Sequence, residues 1–140
     1  MNLKTSIPVE VAQVRQFLLT REEKRRRAKE LARQRVVAQL KEALEAVAPL
    51  FPVERVYLYG SILTGRWRPD SDLDLAVEGD LSPEDFFRLW GELDKRLEQE
   101  IDLREIAKLP FRERVQRKGV VLYERKNPPA VINYGLEQRR

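Results

Sequence analysis

Two stretches of this 140-residue chain carry residue types able to handle phosphates. Gly60-Ser61 ends an apolar run (Val56, Tyr57, Leu58, Tyr59), and ten residues later Asp72-Leu73-Asp74 opens another. Strict alternation from Asp72 to Val77 predicts a β-strand, because strand side chains point to opposite faces with a period of two. Asp72, Asp74 and Ala76 then share one face, and Leu73, Leu75 and Val77 turn to a core. Two carboxylates this close strain one another: at about 4 Å, like charges cost on the order of 4 kcal/mol at an effective dielectric near 20. A cation relieves that cost, and oxygen-only ligands suit Mg²⁺, which is held by one or two carboxylates together with substrate phosphates. Gly60-Ser61 after a strand predicts a tight turn whose backbone N–H groups and hydroxyl can face a phosphate.

What the chain lacks narrows the chemistry further. It has neither Cys nor His. Disulfides, thiolate metal sites and the usual proton carrier at neutral pH are therefore excluded. Catalysis would have to run on carboxylates, a metal ion or the substrate's own groups. No apolar segment approaches the roughly 20 residues of a membrane span and no signal-peptide pattern opens the chain, so a soluble, cytoplasmic protein without a membrane partner is expected. The net charge of +4 is unevenly spread: 11 basic against 6 acidic residues over 1–53, 12 against 16 over 54–124, and 4 against 1 over 125–140. An acidic centre fits a metal–nucleotide site, and basic flanks fit an anionic partner or plain solvation.

The surrounding pattern predicts the elements that must position these groups. Pro8 suits a first helical turn, with Val11, Val14 and Leu18 at helical spacing behind it. Thr20-Arg21-Glu22-Glu23 reads as a capping box that opens a second, long helix to about Ala48, with Val36, Val37, Leu40, Leu44 and Val47 as its apolar stripe. Lys24 to Lys29 is a basic run, but Glu22, Glu23 and Glu30 are interleaved and aromatic residues are not, so a solvated or protein-contacting face is expected rather than nucleic-acid binding. Ser82-Pro83-Glu84-Asp85 opens another helix with the stripe Phe86, Trp90, Leu93, Leu97. Ile101 to Ile106 alternates as a strand, Pro110 to Lys118 reads as a short basic helix stopped by Gly119, and Val120 to Tyr123 as a last strand. The fold class expected is α+β: a small mixed sheet with helices packed on one side, plus an N-terminal helical extension. The expected division is an extension over 1–35, a catalytic domain over 36–124 and a flexible basic tail over 125–140.

Gly60-Ser61, ten intervening residues and Asp72-x-Asp74, set in GSILTGRWRPDSDLDLAV, resemble the signature of the DNA polymerase β-type nucleotidyltransferase superfamily. The short length resembles its minimal nucleotidyltransferases, the MntA-like antitoxins paired with HEPN-domain toxins. The resemblance implies transfer of a nucleoside monophosphate from a nucleoside triphosphate to a hydroxyl, with release of pyrophosphate. It implies two Mg²⁺ ions on Asp72 and Asp74, a third ligand at Asp102 from the neighbouring strand, and a nucleotide held by Gly60 and Ser61. Family members often carry Arg at the positions of Ile62 and Thr64. In their absence Arg66 and Arg68 are the expected triphosphate contacts, with Ser71 bracing their loop and Trp67 packing on the sheet edge or stacking on a base. The N-terminal extension also departs from the minimal pattern, and Phe17, Leu18 and Leu19 suggest a partner-binding or dimerising arm.

The resemblance further implies ATP as substrate and a tyrosine of a HEPN-domain toxin as the adenylylated acceptor. Three rivals stand beside it. One is nucleotidylation of a small molecule of the aminoglycoside type, whose enzymes usually carry an extra helical domain. The second is an antitoxin that neutralises by binding alone, and the third a nucleic-acid-binding module whose affinity would fall steeply with salt.

Overall fold

The computed structural model of the protein describes residues 3–126. The chain divides into two compact units between Val37 and Ala38. Apart from its first two residues, the expected 125–140 tail lies outside the described residues.

The expected break between two N-terminal helices does not occur. One continuous helix, α1, spans Leu3–Val47, so Thr20 lies inside it rather than at a cap. Arg, Glu, Lys, Gln and Ala, the best helix formers, fill the stretch after Thr20 and favour continuing through the motif over stopping there. In the first unit α1 exposes Val11, Val14, Phe17, Leu18 and Leu19. Its basic run pairs with the interleaved acids, as in Arg25–Glu22 at 3.4 Å and Arg27–Glu23 at 4.0 Å, and Arg33 beyond it pairs with Glu30 at 2.8 Å. Hydrogen bonds from Arg33 and then Gln34 hold the Glu30 carboxyl down to about 2.

The second unit is a four-stranded sheet of β1 (Val53–Tyr59), β2 (Leu73–Gly79), β3 (Ile101–Glu105) and β4 (Val120–Glu124), in the order β3-β2-β1-β4. β1 runs antiparallel to β2 and β4, and β2 runs parallel to β3, so the sheet is mixed. Alternation holds as expected. Val56, Leu58, Leu73, Leu75, Val77, Ile101 and Leu103 are buried on one face. Leu40, Leu44 and Val47, at the end of α1, and α2 (Pro83–Asp94) supply further buried side chains. α2 starts as its sequence predicts, with the Ser82 hydroxyl accepting from the Asp85 N–H at 3.1 Å, Pro83 in the first turn and Glu84 and Asp85 behind it. Its stripe is centred one residue away from expectation. Leu89 and Leu93 are fully buried, Phe86 and Trp90 flank them edge to face at 5.8 Å, and Leu97 falls beyond the helix.

The opposite face carries the aspartates and has a small core of its own. Tyr57, Ala76, Ile106, Leu109 and Val115 form one buried cluster, with Tyr59 packed against it. Val115 belongs to α3 (Arg112–Lys118), which therefore covers part of the aspartate face. Toward the far end of that face Arg55 bridges Glu78 at 3.2 Å and Glu124 at 2.9 Å, tying β1 to both of its neighbours. Arg125 closes this edge, donating to the Val53 carbonyl at 2.9 Å and to the Phe51 carbonyl. No helix among the described residues is long and apolar enough to cross a membrane.

Candidate active site

The site lies at the end of the sheet where β1 finishes and β2 and β3 begin. Tyr59, the last residue of β1, is paired with Asp74 of β2, and Asp74 is in register with Asp102 of the parallel neighbour β3. Residues in register on adjacent strands share a face, so Tyr59, Asp74 and Asp102 stand in a row across three strands. Asp72 is exposed immediately before β2. The structure thus brings Asp74 and Asp102 together on one face, with Asp72 near enough for its charge to act on Asp74.

Gly60 makes the arrangement possible. Its φ of 89° and ψ of −152° lie in a region that L side chains avoid. A Cβ there would overlap Asp74 Oδ2 outright and stand 3.0 Å from Asp74 Cγ. The Asp74 carboxylate therefore lies directly on the Gly60 backbone. Ser61–Leu63 is a single 3-10 turn, closed by Leu63 N–H to the Gly60 carbonyl and Thr64 N–H to the Ser61 carbonyl, both at 3.0 Å. The Ser61 hydroxyl makes no hydrogen bond among the described residues, which leaves it available to a ligand.

The electrostatics show an acid cluster short of positive charge. Burial raises the Asp74 carboxyl above its ordinary value, and the Asp102 and Asp72 charges push it further up, against a smaller lowering by Arg104. Tyr59 is raised as well, by burial first and then by Asp74 and Asp102. Asp102 is engaged elsewhere. Arg104, two residues along the same face of β3, donates to it through Nε at 3.2 Å and Nη2 at 3.3 Å. Among the described residues no three acidic side chains lie close enough together to hold a metal ion as they stand. The donors nonetheless suit a hard cation in kind: carboxylate oxygens only, with the charged form of Asp74 disfavoured by burial and then by the neighbouring aspartates. In a three-carboxylate set a cation would compete with Arg104 for the Asp102 oxygens.

A model of the polymerase β nucleotidyltransferase family matches residues 38–128, well over half of the chain. The chain belongs to that family. Two solved structures share the fold of this nucleotidyltransferase with a TM-score of 0.50 each. One is a protein assigned as a nucleotidyltransferase from Sulfolobus solfataricus, 23% identical, covering 67% of this chain and 85% of its own. The other is a toxin–antitoxin complex with AMP-PNP, 22% identical, covering 64% of this chain and 74% of its own. No curated protein matches the chain.

The remaining expected residues of this nucleotidyltransferase fall into place unevenly. Ser71 braces its loop, accepting from the Arg68 N–H at 3.0 Å while its own N–H donates to the Arg68 carbonyl at 2.8 Å. Arg66 and Arg68 are exposed on that loop without an ion pair among the described residues. Trp67 between them packs inward at 1% exposure, and its Nε1 has no partner among the described residues. Two further cations, which no motif in the sequence marks, stand near the turn. A cleft of about 470 Å³ opens from Tyr59 and Gly60 to α3, with Phe111, Arg114 and Lys118 on its far wall. Tyr59 and Phe111 pack at 5.9 Å between ring centres. Arg114 and Lys118 are four apart on a helix that reads as a merely basic stretch, so spacing was the available signal.

Proposed function

We propose that this protein transfers AMP from ATP to a hydroxyl of a partner protein, a tyrosine of a HEPN-domain toxin, and so acts as the antitoxin of the pair. One observation carries the reading: in a chain of this family, the Asp74 carboxylate lies against the Gly60 backbone, and a Gly-Ser turn beside an acid cluster supports phosphate binding there. Asp72 and Asp74 are the residues that would hold Mg²⁺, with Asp102 joining them once released by Arg104. When bound, the metal supplies charge neutralisation at the phosphates and lowers the pKa of the acceptor hydroxyl. Ser61 and the Gly60 turn grip the phosphates, Ser71 keeps the loop in shape, and Asp102 stands nearest the acceptor and takes its proton. Phosphoryl-type transfer consists mostly of positioning and charge stabilisation, so a chain without His is equipped for it. The toxin–antitoxin complex with AMP-PNP that shares this fold supports the nucleotide and the partner class. The exposed stripe Val11, Val14, Phe17, Leu18, Leu19 suits burial against a protein, either that partner or a second copy of the chain.

A second reading is favoured by the Arg104–Asp102 pair, which already compensates the charge of the third carboxylate. In it the protein neutralises by binding alone. Intact-mass spectrometry of the partner that co-purifies with the tagged protein, before and after ATP and Mg²⁺, decides between them. Gain of AMP masses that is lost in Asp72→Asn/Asp74→Asn supports transfer. A tight partner whose mass never changes with any of the four nucleoside triphosphates establishes binding alone.

A further inference from the structure

We propose that Arg114 and Lys118 of α3 bind the β- and γ-phosphates of the nucleotide, so that the cleft between the Ser61–Leu63 turn and α3 is where pyrophosphate is held and released. This rests on the transferase reading and adds the leaving-group site to it. Three observations converge on it. Strand order places Asp102, Asp74 and Gly60 in sequence across β3, β2 and the end of β1, with the cleft beyond Gly60. Attacking and leaving oxygens lie roughly in line in this chemistry. An acceptor on the Asp102 side therefore expels pyrophosphate toward Gly60 and into the cleft.

Gly60 is common to both: the Asp74 carboxylate lies against it, and it also lines the cleft. The Ser61–Leu63 turn offers no cation of its own, and Ile62 is buried.

The cations stand on α3. Arg114 and Lys118 are separated by one helical turn and present one face to the cleft. Like Arg66 and Arg68, Arg114 and Lys118 make no ion pair among the described residues; what sets them apart is that they line a cleft with Gly60 in which no acid takes part. Tyr59, Leu63 and Phe111 make much of the lining apolar, which lowers the local dielectric and strengthens a charge-assisted hydrogen bond to phosphate. A volume of about 470 Å³ lies in the usual range for small-ligand sites. In the step itself the acceptor oxygen bonds to the α-phosphorus and the bond from that phosphorus to the bridging oxygen breaks. Its electron pair goes to pyrophosphate, whose added charge Arg114 and Lys118 meet, while the hydroxyl proton goes to Asp102.

The test is calorimetric titration of the full chain with Mg²⁺ and the β,γ-imido analogue of ATP, beside AMP and pyrophosphate as separate ligands. Wild type is expected to prefer the triphosphate to AMP. Arg114→Ala and Lys118→Ala should each weaken the triphosphate analogue and pyrophosphate by on the order of tenfold and leave AMP unchanged. Retention of wild-type triphosphate affinity by both variants overturns the assignment, as does its loss in Arg66→Ala/Arg68→Ala instead. Equal weakening of AMP and the triphosphate also overturns it, since that marks a general disturbance. If wild type binds none of the four triphosphates, the transferase reading falls and this one with it.

Discussion

The Asp74 carboxylate rests on the backbone of Gly60, in space that a Cβ at position 60 would occupy. Position 60 is therefore glycine for two separable reasons, its φ of 89° and its contact with the Asp74 carboxylate. Gly65, with φ of 80° and nothing within 4 Å of a built Cβ, has only the first. Gly65→Ala should cost about 1–2 kcal/mol of backbone strain. Gly60→Ala should cost more, on the order of 3 kcal/mol in total, because the carboxylate must also move. Urea unfolding of both variants and of Gly60→Ala/Asp74→Ala measures the difference. The double variant should recover the excess over Gly65→Ala, and equal costs for the two single variants would remove the contact argument.

Asp74 is raised by burial, then by Asp102 and Asp72, so its folded carboxyl protonates more readily than the unfolded one. A raised folded pKa adds stability below the unfolded value, and that stability is lost as pH rises through the folded value. Asp74→Asn should therefore match wild type near pH 3 and become more stable above the folded pKa. The gain by neutral pH should be under about 1 kcal/mol, because the group is half exposed and screened. Thermal melts across this range without divalent ions test it. A gain that is largest in acid would contradict the sign.

Arg104 is the cation that compensates Asp102 in the structure, through two hydrogen bonds. Any other cation at Asp102 competes with it for the same two oxygens. Arg104→Gln should therefore raise the affinity of the nucleotide-loaded protein for Mg²⁺ severalfold while leaving the fold intact, because this exposed pair contributes little stability. Titration of Mg²⁺ at saturating nucleotide reads it out. Weaker Mg²⁺ binding in the variant would assign Arg104 to the phosphates instead.

Trp67 is buried with its Nε1 unpartnered among the described residues. An unsatisfied buried donor costs about 1–3 kcal/mol, so Trp67→Phe recovers that while losing packing volume. The two effects should offset to within about 1 kcal/mol, against about 3–5 kcal/mol for Trp67→Ala. Denaturation midpoints of the two variants give the comparison, and a Phe variant as damaged as Ala would show that the indole N–H is satisfied in solution.

The sequence alone determined what depends on near neighbours. Alternation sorted Leu73, Leu75 and Val77 from Asp74 because strand side chains alternate whatever the sheet does. Ser82 and Pro83 announced α2 because a cap acts within one turn. The spacing from Gly60-Ser61 to Asp72 carried the family because that loop is a single local unit. Local signals also misled, at Thr20, where a capping pattern lost to the strong helix formers that follow it, and at Leu89, because the larger aromatics Phe86 and Trp90 flank the buried stripe rather than centre it. Only the tertiary structure decided which distant groups meet. Asp102 stands beside Asp74 because β2 and β3 pair in parallel in that register, and a slip of one residue would have turned it to the other face. The cleft joining Gly60 to Arg114 and Lys118 exists because Val115 packs into the Tyr57 cluster and seats α3 on the aspartate face. The physical reason is separation: more than fifty residues lie between Gly60 and Arg114 in the chain, and no periodicity extends across that gap to say that packing will close it.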